Sequence, residues 1–486
     1  MSAPNSLKVV TAVSSFIDGS DVACKGRSLS LLNPFTLAPA FEVSDASDRV
    51  VDDAVRAADR AYRAHRRETA GERSSWLERC ARALDDDQAA LVDLLISDIG
   101  KPRRVARIEV QRSSSFVRLC AAQTLLLETS TPTLDATAAG KDHIGFVRRV
   151  PYGVVAAITP FNAPVNLMLQ KVAPALAAGN AVVAKPHPAG ARIATRVAQL
   201  FAAAGLPSGL FNVLVGDRAP ATALVSNRLV SVITFTGGCA AGDALARAAG
   251  AKKFVAELGS NSANIVLKDA DLKDAAVRIA SAAFEASGQQ CVSAQRVIVE
   301  HDVVDAFLDY FVAAAAALKV GDPDDETTDV GPVISQESAN RIERMLGESV
   351  TAGGHYLLAL KRSDCTIHPV IVMGADQSAP IWRDEVFGPA VTVHIADSAQ
   401  HALDLANDSP FGLQGALFTA SLDQALWFSQ RFDVGSLWVN QPSRFRLDVL
   451  PFGGVKQSGF GREGVRYAIE EMSQLTFTGM RMRLPQ

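Results

Sequence analysis

Between residues 154 and 258 the chain alternates short apolar runs with helical stretches, and no other feature narrows its fold as far. The runs are 154–158, 181–184, 211–215, 230–235 and 254–258. Helical spacing fills the gaps, with one segment ending near Gly179-Asn180 and another covering 192–204. Runs without polar alternation are strands buried on both faces, and strands joined through helices lie parallel. Sheets of this kind bind ligands at the carboxyl ends of their strands. A second α/β block begins at 262–267 and continues through a helix at 271–286 and a strand at 295–300. The first hundred residues read mostly helical, at 48–66 and 71–99, and another helix follows Gly100-Lys101-Pro102 over 104–127. The threonine-, alanine- and proline-rich stretch 129–142 breaks this pattern and fits an exposed hairpin or linker. At 486 residues the chain exceeds one compact core, which implies two domains with extensions.

Composition serves mainly to exclude. A net charge of −4, with acids and bases interspersed and no polybasic block, does not point to nucleic acid or an anionic membrane surface. Residues 150–170 carry no charge, but Pro151, Pro160, Pro164, Asn162 and Asn166 interrupt them, so a buried strand and loop is expected rather than a membrane span. Residues 1–13 show no secretory pattern. The six cysteines are scattered without CxxC pairs or nearby histidines, so neither a metal site nor a disulfide framework is expected, and a reducing cytoplasm fits.

The residues with chemical potential lie at the ends of the apolar runs. Cys291 closes Ser287-Gly288-Gln289-Gln290-Cys291, and Glu257 stands 34 residues earlier. A soft nucleophile that adds to a carbonyl, together with a base that sends water against the resulting thioester, is what aldehyde oxidation requires. Gly237-Gly238-Cys239-Ala240-Ala241-Gly242 follows a strand and opens a helix, where backbone N–H groups can meet a pyrophosphate. Lys185, before Pro186, is placed to donate to ribose or phosphate. Asn162 could donate to a developing oxyanion. Each residue also has a plainer reading. The glycines could form an ordinary turn, Lys185 a solvated loop lysine, and Asn162 a turn residue bonding its own backbone. Glu257 could be a strand-end carboxylate paired with Lys252 or Lys253.

These stretches, with Asp384-Glu385-Val386-Phe387-Gly388-Pro389 and Pro451-Phe452-Gly453-Gly454-Val455-Lys456-Gln457-Ser458-Gly459, make the chain resemble the aldehyde dehydrogenase superfamily from about Phe16 onward. The resemblance implies a Rossmann-like parallel-sheet cofactor domain (1–123 and 147–259, with 446–474 returning to it). It also implies an α/β catalytic domain (260–445) and a small β oligomerisation arm (124–146 and 475–486) that pairs with a partner subunit's C-terminal strand in a homodimer or homotetramer. Cys291 would be the nucleophile, Asn162 with the Cys291 N–H the oxyanion hole, and Glu257 the base for deacylation. NAD or NADP would lie against Ile158, Pro160, Phe161, Lys185, Gly237, Gly238, Gly242, Glu385 and Phe387. Lys171 and Glu463 would stand behind the site.

Departures from the family pattern are informative. Pro188 occupies a position where many NAD-preferring members carry a ribose-binding glutamate, which removes one barrier to NADP; Arg192 and a protonated His187 could attract its phosphate. Gly238 replaces a serine, and Ser260 replaces a glycine beside the base. The stretch 441–454 is most similar to the lactaldehyde-like branch. Arg112 and Arg446 sit where branches acting on small anionic aldehydes keep anion-binding arginines, whereas Gln290 stands where such branches often have an arginine. A small polar or anionic aldehyde is the expected substrate, with an ion pair to Asp448 or another wall carboxylate as the alternative for Arg446. A CoA-acylating semialdehyde dehydrogenase, a catalytically impaired cofactor-binding protein and a cysteine hydrolase remain as alternatives.

Overall fold

Five of the apolar runs assemble as parallel neighbours. In the computed structural model, which describes residues 11–483, they lie in the order Lys253–Glu257, Val230–Thr236, Val154–Thr159, Ala181–Pro186 and Phe211–Val213. Gly459–Phe460 pairs antiparallel at one edge, and Ser15–Ile17 with Ser20–Val22 completes the other. Central strands such as Val154–Thr159 and Ala181–Pro186 are buried along their whole length, as a sheet covered on both faces requires. The covering helices include Asp48–His65, Pro164–Ala177 and Ala191–Ala203, whose alanine-rich faces allow close approach to the strands. Residues 150–170 are thus a strand, a loop and a buried helix. No described helix is long and apolar enough to cross a membrane.

A second sheet runs His355–Leu358, Val370–Met373, Ala390–Ala396, Arg296–Glu300, Ala263–Val266, Gln414–Phe418 and Ser436–Val439, antiparallel only at its first pair. Its faces are filled by separate clusters around Phe284, Phe307 and Phe311 on one side and Trp382, Leu403 and Phe428 on the other.

The structure corrects three sequence readings. The described N-terminal residues are strands rather than helix: Thr11–Val13, Ser15–Ile17, Ser20–Val22, Ser28–Leu32 and Pro39–Ser44. Most are too short to show periodicity. The helix read over 71–99 is two helices, Ala70–Asp86 and Gln88–Ile99, divided at Asp87. The expected arm is a ribbon in which Ser473–Arg481 pairs antiparallel with His143–Pro151 of the same chain, so the C-terminal strand already has an intrachain partner. Residues 1–10, which cover most of the stretch read as lacking a secretory pattern, and 484–486, the end of the expected arm, lie outside the described residues.

Candidate active site

The turn that leads to Cys291 is held in a strained shape. Helix Leu272–Phe284 ends before it, and Ala286, Ser287 and Gly288 then adopt left-handed φ values of 53°, 58° and 64°. Non-glycine residues in this region cost about 1–3 kcal/mol each, so the surroundings must hold them there. They do. Ser287 Oγ donates to the Gly331 carbonyl at 2.8 Å, and Gln289 Oε1 accepts the Ile334 N–H at 2.9 Å. A Cβ on Gly288 would strike the Gly388 carbonyl, so this crossing of two loops admits only glycine. Cys291 follows, half-buried, and burial pushes its thiol up to about 12.

Asn162 stands just beyond the Val154–Thr159 strand, in the loop leading to helix Pro164–Ala177. The buried carboxylate of Glu109 caps that helix, accepting the Val165 and Asn166 N–H groups at 2.9 and 3.2 Å. Asn162 Nδ2 donates to the Gln289 carbonyl at 2.8 Å, which ties it to the cysteine turn and excludes the reading in which it bonds its own backbone. An amide nitrogen carries two donors, so one remains. Among the described residues the Cys291 N–H has no protein acceptor. Asn162 and this N–H can therefore serve as a pair of oxyanion donors.

Glu257 ends the Lys253–Glu257 strand and is only 2% exposed. Neither carboxyl oxygen has a hydrogen-bond partner among the described residues. Burial, reinforced by nearby Glu463, raises its pKa well above the usual carboxylate range. The plainer pairing with lysine fails: Lys253 binds Glu471 at 2.8 Å, and Lys252 donates to the carbonyls of Val225 and Asn227. The Ser260 hydroxyl shares a 3.1 Å hydrogen bond with Ser262 and makes none to Glu257.

The cofactor-side residues line the strand ends of the first sheet. Lys185 is buried, and that burial lowers its pKa to about 8 against the opposing pull of Asp217 and Asp45. It is no solvated loop lysine. Ile158 is buried at the neighbouring strand end, with Pro160 and Phe161 half-buried beyond it. Phe161 packs edge-on against both His187 and Phe387, at 5.2 and 5.9 Å between ring centres. Gly237 packs against Phe235, and Gly242 against Leu258 and Phe235. Gly238 precedes helix Cys239–Ala249 with nothing within 4 Å of where its Cβ would lie, so a serine there would fit as well. Glu385 Oε1 accepts the Ser260 N–H at 3.1 Å, and burial raises this carboxyl to about 7. Its other oxygen lies 3.0 Å from where a Gly259 Cβ would be, so a side chain there would crowd it. A buried lysine, a carboxyl held by one backbone donor and the open turn at Gly238 fit a dinucleotide.

Two expected phosphate-attracting groups are otherwise engaged. Arg192 Nε donates to the Asp98 carboxylate at 3.0 Å. His187 is held neutral at pH 7, because the packing around its ring and the Lys185 ammonium lower it to about 4. Its Nδ1 accepts the Ala189 N–H at 3.2 Å.

Behind the base lies an alternating set of charges. Lys171 Nζ donates to Glu463 Oε1 at 2.7 Å, and Arg446 Nη2 donates to Glu463 Oε2 at 3.2 Å and Gln170 Oε1 at 3.0 Å. Arg112 binds Asp448 through two bonds of 2.9 and 2.6 Å. Both arginines expected to meet substrate are therefore paired with wall carboxylates, the alternative left open for Arg446. Sequence reasoning gave no role to Arg444, whose Nε donates to Gln290 Oε1 at 2.7 Å and which also pairs with Glu285. Nor did it find Ser443, whose hydroxyl donates to the Val292 carbonyl at 2.9 Å just past the nucleophile. Both lie in a loop without periodic pattern, so only their closeness to the motif could have signalled them. Among the described residues, no group of three or more histidine, cysteine, aspartate or glutamate side chains could hold a metal ion, and all six cysteines are unpaired.

A family model described as the aldehyde dehydrogenase family matches residues 22–478. The chain belongs to the aldehyde dehydrogenase family. It is 38% identical over 449 residues to the 3-sulfolactaldehyde dehydrogenase of Priestia aryabhattai, covering 92% of this chain and 94% of that one. It is 34% identical over 465 residues to the lactaldehyde dehydrogenase of Methanocaldococcus jannaschii, covering 95% and 98%. Among solved structures, the NADP-dependent glyceraldehyde-3-phosphate dehydrogenase of Bacillus halodurans, complexed with NADP, superposes with a TM-score of 0.94 at 31% identity, covering 97% of this chain and 100% of that one. This aldehyde dehydrogenase is accordingly an NAD(P)-dependent oxidoreductase acting on aldehydes, with the α/β parallel-sheet fold of the family.

Proposed function

We propose that this aldehyde dehydrogenase works hydrolytically, through a cysteine thioester, on a small polar or anionic aldehyde. The observation that carries the reading is Glu257: a fully buried carboxyl without a hydrogen-bond partner, in the same charge environment as Cys291. Cys291 Sγ passes its proton to water and adds as the thiolate to the carbonyl carbon, forming the oxyanion of a thiohemiacetal. Asn162 Nδ2–H and the Cys291 N–H receive the developing oxyanion. When bound, the oxidised nicotinamide supplies the hydride acceptor that converts thiohemiacetal to thioester. Glu257 then takes a proton from water as the water oxygen attacks the thioester carbon. The C–S bond breaks, and carboxylate and thiol are released. A carboxyl raised by burial is a stronger base once ionised, which suits this step.

Lys185, Glu385 and Phe387 would hold the dinucleotide, with Ile158, Pro160, Phe161, Gly237, Gly238 and Gly242 shaping its groove. Pro188 leaves no carboxylate to repel a 2′-phosphate, which supports use of NADP as well as NAD, with Lys185 as the nearby cation. The relatives named for lactaldehyde and 3-sulfolactaldehyde support a short, oxygenated substrate. A cofactor domain of 1–123 and 147–259, with 446–474 returning to it, a catalytic domain of 260–445 and an arm of 124–146 and 475–486 would assemble as a homodimer or homotetramer. Six unpaired cysteines suit a reducing cytoplasm.

The test is formation of reduced nicotinamide from lactaldehyde, glycolaldehyde, succinic semialdehyde and phosphonoacetaldehyde, with NAD and with NADP, in the absence of CoA. Signal lost in Cys291→Ala is expected. Signal that appears only with CoA would replace the hydrolytic reading with an acylating one, and a large preference for NAD would defeat the NADP proposal.

A further inference from the structure

Two groups in the charge cluster behind the base lack hydrogen-bond partners. Both oxygens of Glu257 are buried and have no donor, and Arg446 Nε is buried with no acceptor in hydrogen-bond range, Asp448 lying 3.9 Å away. The Arg446 side chain is only 9% exposed and lies over the Phe452 ring, 3.6 Å from its centre. Gly453, the next residue, comes so close to the base that a Cβ there would sit 3.0 Å from Glu257 Oε1. The Phe452-Gly453 segment therefore brings the guanidinium and the base together. The charged groups facing this space are Lys171 from helix Pro164–Ala177, Glu463 and Arg462 from the return to the first sheet, and Cys291 from its turn. On the far side of Arg446 stand Asp448 and, bonded to it, Arg112 from helix Arg103–Thr124.

Charge counting shows what Arg446 contributes. Glu257 and Glu463 are two neighbouring buried carboxyls, and like charges in such a place cannot both ionise without compensation. Lys171 is committed to one oxygen of Glu463, which neutralises one charge. Arg446 is the second cation bonded to the pair, through Glu463 Oε2 at 3.2 Å, while the Arg462 guanidinium donates to the Gly454 and Gly461 carbonyls. Burial acts to raise Glu463, but Lys171 and Arg446 outweigh it and hold Glu463 below its ordinary value.

We propose that Arg446 is a positioning residue for deacylation, one whose clamped guanidinium allows Glu257 to ionise beside Glu463, rather than a ligand for the substrate's acidic group. This rests on the reading of Glu257 as the base. Removing the positive charge should make Glu257 hold its proton to higher pH, which delays the onset of thioester hydrolysis as pH rises.

The experiment is the pH profile of the deacylation rate, measured after a pre-steady-state burst with glycolaldehyde (neutral) and succinic semialdehyde (anionic). In Arg446→Gln the acid limb should move up by about one pH unit or more, the size of effect a close opposite charge exerts. Arg446→Lys should restore most of the shift, and KM should change alike for both aldehydes. An unmoved acid limb, with KM raised for succinic semialdehyde alone, would overturn the proposal and make Arg446 a substrate ligand. Should Arg446→Gln fail to fold, Phe452→Leu takes its place. It removes the ring under the guanidinium and should move the limb less but in the same direction, and no movement would again overturn the proposal. Glu257→Gln separates the two ideas. A normal burst without turnover upholds the base, so that an unmoved limb in Arg446→Gln then counts against the inference alone. Normal turnover in Glu257→Gln would remove the base itself.

Discussion

Glu257 and Glu385 are both carboxyls whose charge influences Cys291, and burial raises both, yet their surroundings differ in kind. Glu385 is half-buried and accepts a backbone N–H from Ser260, a bond to its charged form that limits the rise to about 7. Glu257 has no such donor, and Glu463 beside it adds to the rise. A carboxyl that already accepts one hydrogen bond and titrates near neutrality is suited to receive hydroxyl donors from a ligand. A carboxyl without donors, in a dry place, is suited to take a proton from water. One chemical group is thus suited to two purposes, according to whether the backbone supplies a donor.

The strongest challenge to this contrast is Glu257→Gln, which keeps the shape and removes the base. Steady-state turnover should fall by roughly 10²–10⁴-fold, the range for loss of a general base, with cofactor KM little changed. A loss confined to cofactor KM would reverse the two assignments. Glu385→Gln should act the other way: cofactor KM rises by roughly tenfold or more, while the first-turnover burst persists at saturating cofactor.

The pH response sharpens the comparison further. If Glu385 holds the cofactor ribose as proposed, its ionised form accepts from the hydroxyls, so cofactor binding should tighten as pH rises through about 7, and Glu385→Gln should abolish that dependence. The same shift bears on stability. The folded state holds the Glu385 proton more tightly than the unfolded chain does. Its contribution therefore favours folding at low pH and is lost as pH rises from the ordinary carboxylate value of 4.5 to about 7. Thermal melts of the cofactor-free protein across that window should show wild type losing ground relative to Glu385→Gln. The smallest effect is expected from Ser260→Gly. The Ser260 hydroxyl bonds Ser262 and the donor to Glu385 is a backbone N–H, so kcat should change by less than about threefold. A large change in kcat would mean that the serine does crowd the base.

The central sheet was legible because its strands are continuous apolar runs, and each strand end carried its residue with it: Asn162 after 154–158, Lys185 after 181–184, Glu257 at the close of the series. The N-terminal strands were not. Three residues such as Ser20–Val22 are too few to display a period, and they form because a neighbouring strand offers hydrogen bonds. The break at Asp87 was hidden because helical spacing continues on both sides of it. Arg444 and Ser443 were hidden for a different reason, since their role comes from contact with the cysteine turn across some 150 residues of chain.

The order of residues was enough for the family and the parallel-sheet architecture, and it singled out Cys291, Glu257 and Asn162 as candidates for the chemistry. Local periodicity and short motifs encode backbone shape and side-chain chemistry directly. The pairing of charges came from the folded chain: Arg112 belongs to Asp448, Arg192 belongs to Asp98, Arg446 is shared between Glu463 and Gln170, and Glu257 is left without a hydrogen-bond partner. An ion pair forms wherever folding brings opposite charges together out of water, and separation along the chain places no limit on which they will be.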